Sequence, residues 1–208
     1  MDYDENNEEY EKLKIKCILL GESGVGKTNL TNSLVDVRFE QSSKSTVNAL
    51  YVQKDMNIAG KEYQIRLWDT AGQEKYRSLT KLFYKESKVV IFVYDITNKK
   101  SFTELNYWIN EIKESLGEEP ILGMVGNKSD MEDMKKVDDG EAQKLADEHN
   151  MKFQLVSVKN EPKDFKNFLQ QLILDYIVKN NYNKDTDNFD LEYQYERDYN
   201  AHGSCTIF

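Results

Sequence analysis

The chain has 208 residues, a formal net charge of -9 and a sequence pI of about 4.9, enough for one substantial core with short appendages. Its acidity argues against non-specific binding to nucleic acid or to an anionic membrane. The two cysteines, Cys17 and Cys205, suggest no disulfide framework and a reducing, cytosolic setting, and no apolar run approaches the length of a membrane span.

Residues 1–11 carry six acids and no base. They are expected to be a solvated, disordered acidic arm, not a signal or transit peptide. Asp2 stands where N-myristoylation needs glycine. The apolar run Ile15 to Leu20 predicts a first strand, and the segment Lys27 to Val35 is compatible with a helix. Between them lies Gly21-Glu22-Ser23-Gly24-Val25-Gly26-Lys27-Thr28, which fits G-x-x-x-x-G-K-[ST] in the context that gives the pattern physical meaning. Its glycines let backbone N–H groups turn inward around a polyphosphate, and the helix N-terminus adds partial positive charge. Lys27 can reach the β- and γ-phosphates, and the Thr28 hydroxyl can ligate Mg²⁺. The candidate contacts on this side are Gly21, Ser23, Gly24, Val25, Gly26, Lys27, Thr28 and Asn29.

A polar loop is expected from Asp36 to Val47. Two strand-like runs follow, Ala49 to Ile58 and Lys61 to Trp68, joined at Ala59-Gly60 as an antiparallel hairpin with Tyr63, Ile65 and Leu67 on one face. Asp69-Thr70-Ala71-Gly72-Gln73-Glu74 comes directly after. An acid at a strand end beside the phosphate loop is placed to hold Mg²⁺ through water, which nominates Asp69. Gly72 can bring its N–H close to a γ-phosphate, and Gln73 can orient an attacking water. Gln73 and Lys27 are therefore the catalytic candidates.

Val89 to Tyr94 is a continuous apolar run, expected of a parallel strand covered on both faces. Phe102, Leu105, Trp108, Ile109, Ile112 and Leu116 recur at helical spacing as a core stripe. Ile121 to Val125 is another buried strand, with Asn127-Lys128-Ser129-Asp130 at its end. The Asp130 carboxylate can accept from the N1–H and exocyclic amine of guanine, a pair that adenine lacks. The Lys128 stem can lie along the ring, and Asn127 can brace the loop. A helix from Glu141 to His149 turns Ala142, Leu145 and Ala146 inward. Phe153 to Val156 is the last strand, and Phe165, Phe168, Leu169, Leu172, Ile173, Tyr176 and Ile177 mark a closing helix. The alternation predicts an α/β fold: a mostly parallel six-stranded sheet with one antiparallel edge strand and helices on both faces. Ligands gather at the carboxyl ends of such strands, where these motifs fall. His149 and His202 lack ligand-like company and are expected at the surface.

Over roughly residues 12–180 the chain resembles the small GTPases of the Ras superfamily, most closely the Rab branch. The resemblance rests on GESGVGKT at 21–28, Thr46, WDTAGQE at 68–74, NKSD at 127–130 and Ser157-Val158-Lys159. It implies a GTP-binding domain over 12–180 that takes GTP or GDP with Mg²⁺. Thr46 has the family's spacing from Thr28 and would close over Mg²⁺ and the γ-phosphate. Phe39 matches the aromatic that packs edge-on against guanine, and Ser157, Val158 and Lys159 match the last guanine loop. Tyr51, Trp68 and Phe83 match the aromatic triad that reads nucleotide state, with core packing as their plainer role. Ser23 is the residue usual in the Rab branch.

Val158 replaces the family's alanine; its backbone contact to the base is expected to survive, with the added bulk bearing on the tilt of the loop. Asn48 replaces a glycine and Leu50 an acid that faces partners, which bears on effector identity. The resemblance further implies a monomeric switch in vesicle traffic with slow intrinsic hydrolysis. It would need an exchange factor, an activating protein to supply an arginine, a GDP-dissociation inhibitor or escort protein, and effectors.

Residues 181–208 are expected to be a flexible tail. Cys205-Thr206-Ile207-Phe208 fits C-a-a-X, with the final Phe favouring geranylgeranylation at Cys205. With six acids against two bases in this stretch, one lipid gives reversible anchoring. That suits a cytosolic protein cycling to the cytosolic face of an intracellular membrane. Three alternatives stand beside this one: a hydrolysis-poor GTP-binding scaffold, a P-loop kinase or ATPase, and a Ras- or Rho-type signalling GTPase.

Overall fold

The structure, a computed structural model, describes residues 13–36, 50–70, 83–116 and 119–182. Its strands are β1 (Leu13–Leu20), β2 (Leu50–Ile58), β3 (Lys61–Asp69), β4 (Val89–Asp95), β5 (Ile121–Asn127) and β6 (Lys152–Val156). Its helices are α1 (Lys27–Leu34), α2 (Lys99–Thr103), α3 (Leu105–Ser115), α4 (Asp139–Glu148) and α5 (Pro162–Tyr182), with a 3-10 helix over Ser129–Met134.

The strands form one sheet in the order β2-β3-β1-β4-β5-β6. Every pairing is parallel except β2 with β3, so the predicted antiparallel edge strand is β2. The hairpin closes at Ala59 (φ 50) and Gly60 (φ 77) between the paired residues Ile58 and Lys61. Two successive positive φ angles give the turn whose twist suits a two-residue hairpin.

Strand periodicity divides the core into two layers. Ile15, Cys17 and Leu19 of β1 face α1 and α5, joining Ile65, Leu67, Val93, Leu30, Leu34, Phe165, Leu169 and Leu172. Ile18 and Leu20 face the opposite way, joining Phe92, Tyr94, Phe102, Trp108, Ile109, Ile112, Ala142 and Ala146. All seven residues of β4 are buried. A strand covered on both faces has no reason to alternate, which accounts for its unbroken apolar sequence.

The core stripe from Phe102 to Leu116 runs over two helices, not one. Asn98 caps α2 by accepting from Lys100 N–H, and the chain steps at Glu104 into α3. Leu116 lies past the end of α3 in extended conformation. Leu145, expected inward, is half-buried. The strands Val89 to Tyr94 and Ile121 to Val125 each run further, to Asp95 and Asn127, because the parallel pairing continues through Tyr94–Gly126 and Asp95–Asn127 past the last apolar residue.

Gly123 on β5 faces α5: a Cβ there would lie 2.6 Å from Leu172 Cδ1 and 3.1 Å from the Phe168 ring. Gly123→Val is therefore expected to push α5 off the sheet and cost about 1–3 kcal/mol by overpacking. Urea unfolding checks this, and a midpoint unchanged from wild type would contradict it.

Candidate functional site

Three glycines shape the loop between β1 and α1, and two of them are close-approach points. A Cβ on Gly21 (φ +150) would sit 2.1 Å from the Val93 carbonyl oxygen of β4. On Gly26 (φ +100) it would sit 2.3 Å from Asn127 Nδ2. Gly26 is also the N-cap of α1, in left-handed conformation and with no side chain capping the helix, and no acid lies in the first turn. No acidic side chain thus opposes the positive end of the α1 dipole, which suits an incoming anion.

Lys27 crosses this loop. Its ammonium donates to the carbonyls of Gly21 and Glu22, both at 2.8 Å, and the residue is only 5% exposed. Burial pushes its pKa down to about 8, partly offset by the charges of Asp69 and Glu22. At the end of β3 the Asp69 carboxylate, buried, accepts from the Thr28 hydroxyl at 2.6 Å. Thr70 Oγ1 donates to the Leu19 carbonyl at 2.7 Å and ties that strand end to β1. Hydroxyl and carboxylate oxygens meeting beside a cationic glycine cradle form a donor set suited to a hard divalent cation with phosphate oxygens. The residues present therefore fit Mg²⁺ and a polyphosphate.

The second loop is built on β5. Asn127, 1% exposed, donates from Nδ2 to the Val25 carbonyl at 2.8 Å, joining the two loops. Lys128 takes a left-handed conformation (φ 66) and donates to Asp95 Oδ2 at 2.6 Å. Asp130 accepts at Oδ1 from Ser157 Oγ at 2.7 Å, and Lys159 Nζ lies 3.9 Å from its Oδ2. Ser157 Oγ in turn accepts from Asn160 N–H at 3.1 Å. Val158 is buried within the α5-side core, so its extra methyls pack inward.

Asp95 and the Ser157–Asp130 bond escaped sequence reasoning. The signal for Asp95 was an acid at the carboxyl end of a buried strand, the same rule that nominated Asp69. Ser157 was identified only as part of a loop, not as the donor that orients Asp130.

The structure also assembles the aromatic row. Tyr51 and Trp68, a direct cross-strand pair, stack at 5.1 Å, and Trp68 meets Phe83 at 5.6 Å. Tyr51 is 53% exposed, so it forms a surface platform in addition to any packing role. Lys16 Nζ lies 5.2 Å from the Trp68 ring and donates to the Lys85 carbonyl at 2.7 Å. Phe39, Thr46, Asn48, Gly72, Gln73, His202 and Cys205 lie outside the described residues. His149 is half-buried rather than fully exposed; its Nδ1 is 2.8 Å from Lys113 Nζ, and burial and that charge lower its pKa. Cys17 is buried, and its thiol pKa is raised, which leaves it chemically quiet.

A family profile described as the Ras family matches residues 16–177. "Ras-related protein Rab-21" of Geodia cydonium is 40% identical over 147 residues, covering 71% of this chain and 64% of that protein. "Ras-related protein Rab-2B" of Dictyostelium discoideum is 36% identical over 156 residues, covering 75% and 77%. "Ras-related protein Rab-13" of Bos taurus is 40% identical over 147 residues, covering 70% and 71%. The match thus spans a little under two thirds of the first relative's length and more of the others.

The Lys27 geometry sets a pH dependence. Without a bound anion the folded state releases this proton near pH 8, against 10.5 for an ordinary lysine. Between those values the unfolded chain holds more protons, so Lys27 makes the anion-free protein more stable as pH rises from about 8 to 10.5 and contributes no slope below 8. An anion bound to this amine restores its charge. Binding of GDP is therefore expected to take up close to one proton at pH 9 and almost none at pH 6.5. Calorimetry in buffers of different ionisation enthalpy reads this directly; equal uptake at both values would contradict it.

Proposed function

The chain belongs to the Ras family of small GTPases and is Rab-like within it, and from that premise we propose a guanine-nucleotide switch that hydrolyses GTP to GDP and acts in membrane traffic. The observation that supports it best is the bond from Asn127 Nδ2 to the Val25 carbonyl. It ties a loop suited to phosphates to a loop whose Asp130 carboxylate is held by Ser157 in a pose suited to guanine.

The residues divide the work. Main-chain N–H groups of the loop at 21–28 and the Lys27 ammonium hold the phosphates, with Ser23, Gly24, Val25 and Asn29 completing that wall. Thr28, Thr46 and, through water, Asp69 would hold Mg²⁺, which would supply positive charge to offset that of the phosphates. Asp130 selects guanine, Lys128 and Phe39 flank the ring, and a backbone N–H in Ser157-Val158-Lys159 meets the base oxygen. Gln73 orients the water that attacks the γ-phosphorus as its bond to the β-phosphate oxygen breaks, and Gly72 approaches the same phosphate. An activating protein supplies the arginine that this chain does not place.

Tyr51, Trp68 and Phe83 present the nucleotide state to effectors, while Asn48 and Leu50 distinguish which effectors bind. The GTP-binding domain covers 12–180, between an acidic arm at 1–11 and a tail at 181–208. Cys205 carries a prenyl group, and the protein cycles as a monomer between cytosol and the cytosolic face of an intracellular membrane. An exchange factor and a GDP-dissociation inhibitor or escort protein govern that cycle. No helix among the described residues is long and apolar enough to cross a membrane. The kinase, ATPase, scaffold and Ras- or Rho-type alternatives are not favoured by the Rab-named relatives.

Nucleotide extracted from the purified Mg²⁺-bound protein is expected to be guanine, and GTP loaded onto it to be cleaved slowly in a single turnover. Gln73→Leu is expected to slow that cleavage about tenfold or more without loss of binding. Asp130→Asn replaces an acceptor by an amide donor and should move preference from guanine to xanthine, which carries a carbonyl where guanine has its amine. Adenine nucleotide in the extract would overturn this assignment.

A further inference from the structure

We infer that Asp95 is a positioning residue for guanine binding: it pins the Lys128 ammonium so that the lysine stem forms a preset wall for the base. This rests on the guanine site proposed above. Asp95 ends β4 in register with Asn127 of β5, and Ile96 N–H donates to the Asn127 carbonyl at 3.2 Å. The loop after β4 is thereby fastened to the base loop. The Asp95 carboxylate is buried and its two oxygens do different things. Oδ1 accepts from the Thr97 N–H at 2.8 Å and the Thr97 hydroxyl at 2.7 Å. Oδ2 accepts from Lys128 Nζ at 2.6 Å. Asp95 N–H donates to Ser101 Oγ at 3.0 Å, and Ser101 is fully buried, so the carboxylate is fixed from behind.

Lys128 is held at both ends. Its backbone occupies the left-handed region (φ 66, ψ 36), a costly conformation for a side chain with a Cβ, and its carbonyl accepts from Met131 N–H at 2.9 Å. Its side chain is one-third exposed. The carboxylate end of the pair is buried while the lysine end stays open to water, so this is not a plain surface ion pair. What it does accomplish is to spend the lysine's rotamer freedom before any ligand arrives. A base meeting Lys128 then finds an ordered apolar stem and loses less on binding. The ammonium, neutralised by Asp95, is also kept from swinging toward the phosphates.

The test is the dissociation rate of a fluorescent GDP analogue from the Mg²⁺-loaded full chain, chased with excess GDP. Asp95→Asn keeps an oxygen acceptor for Thr97 while removing the charge that holds Lys128. It is expected to raise the rate about three- to tenfold, the cost of ordering one long side chain on binding. In a Lys128→Met background the same substitution is expected to add less than twofold, because Asp95 acts through Nζ. A purely structural role would give the same increase in both backgrounds, and that result, or no change in Asp95→Asn, overturns the inference while leaving the guanine assignment standing. If Asp95→Asn does not fold, Asp95→Ser, which keeps a hydroxyl acceptor and removes the charge, decides by the same comparison in the wild-type and Lys128→Met backgrounds. Absence of guanine nucleotide in the wild-type protein removes both.

Discussion

A lysine ammonium almost out of solvent, facing two main-chain carbonyls, is the constraint on which the rest of this molecule depends. Lys27 donates to Gly21 and Glu22 at 2.8 Å each, yet its pKa still falls to about 8. Two carbonyl dipoles do not replace the lost hydration of a full charge. Nearby acids help only partly, and Asp69 is itself bonded to Thr28. An anion beside this amine would favour its charged form. The lack of an acid in the first turn of α1 leaves the positive end of its dipole favouring the same ligand charge.

Topology explains why a lysine can be stranded there. The sheet order β2-β3-β1-β4-β5-β6 sends the chain one way from β1 and the other way from β4, leaving a crevice beyond their carboxyl ends. Gly21 presses against Val93 of β4, and Gly26 against Asn127 of β5. Both glycines are needed because loops from three strands meet at distances that leave no room for a Cβ. The phosphate side is thus shaped mainly by backbone, and the base side by side chains: Asn127 to Val25, Ser157 to Asp130, Lys128 to Asp95.

That difference decides what sequence alone could reveal. The phosphate loop was legible because its chemistry demands glycine and lysine at fixed intervals. The strands were legible because burial on both faces removes polar residues from β4 and most of β5. The hairpin announced itself at Ala59-Gly60. The division of the Phe102 to Leu116 stripe was not visible, since the step at Glu104 keeps nearly helical angles and leaves the apolar spacing intact. The pairing of Asp95 with Lys128 was not visible either, since the two lie 33 positions apart and become adjacent only when β4 and β5 pair. Contacts made across a sheet carry no local spacing, so a pattern reader meets the two residues as unrelated charges.

Strand alternation then links the two working surfaces. Asp69 and Trp68 are neighbours on β3 and so face opposite sides of the sheet. Asp69 turns to Thr28 and the phosphate loop, while Trp68 turns to Tyr51, Phe83 and the Lys16 ammonium. One peptide unit thus joins the buried carboxylate that meets Thr28 to the half-buried central ring of the aromatic row. β3 is hydrogen-bonded on both sides, to β1 and β2, which makes it a stiff connection. Lys16 strengthens this arrangement by fastening the Trp68 face to the Lys85 carbonyl, just ahead of β4. The aromatic row is in this way anchored to the same pair of central strands, β1 and β4, whose divergence opens the nucleotide crevice.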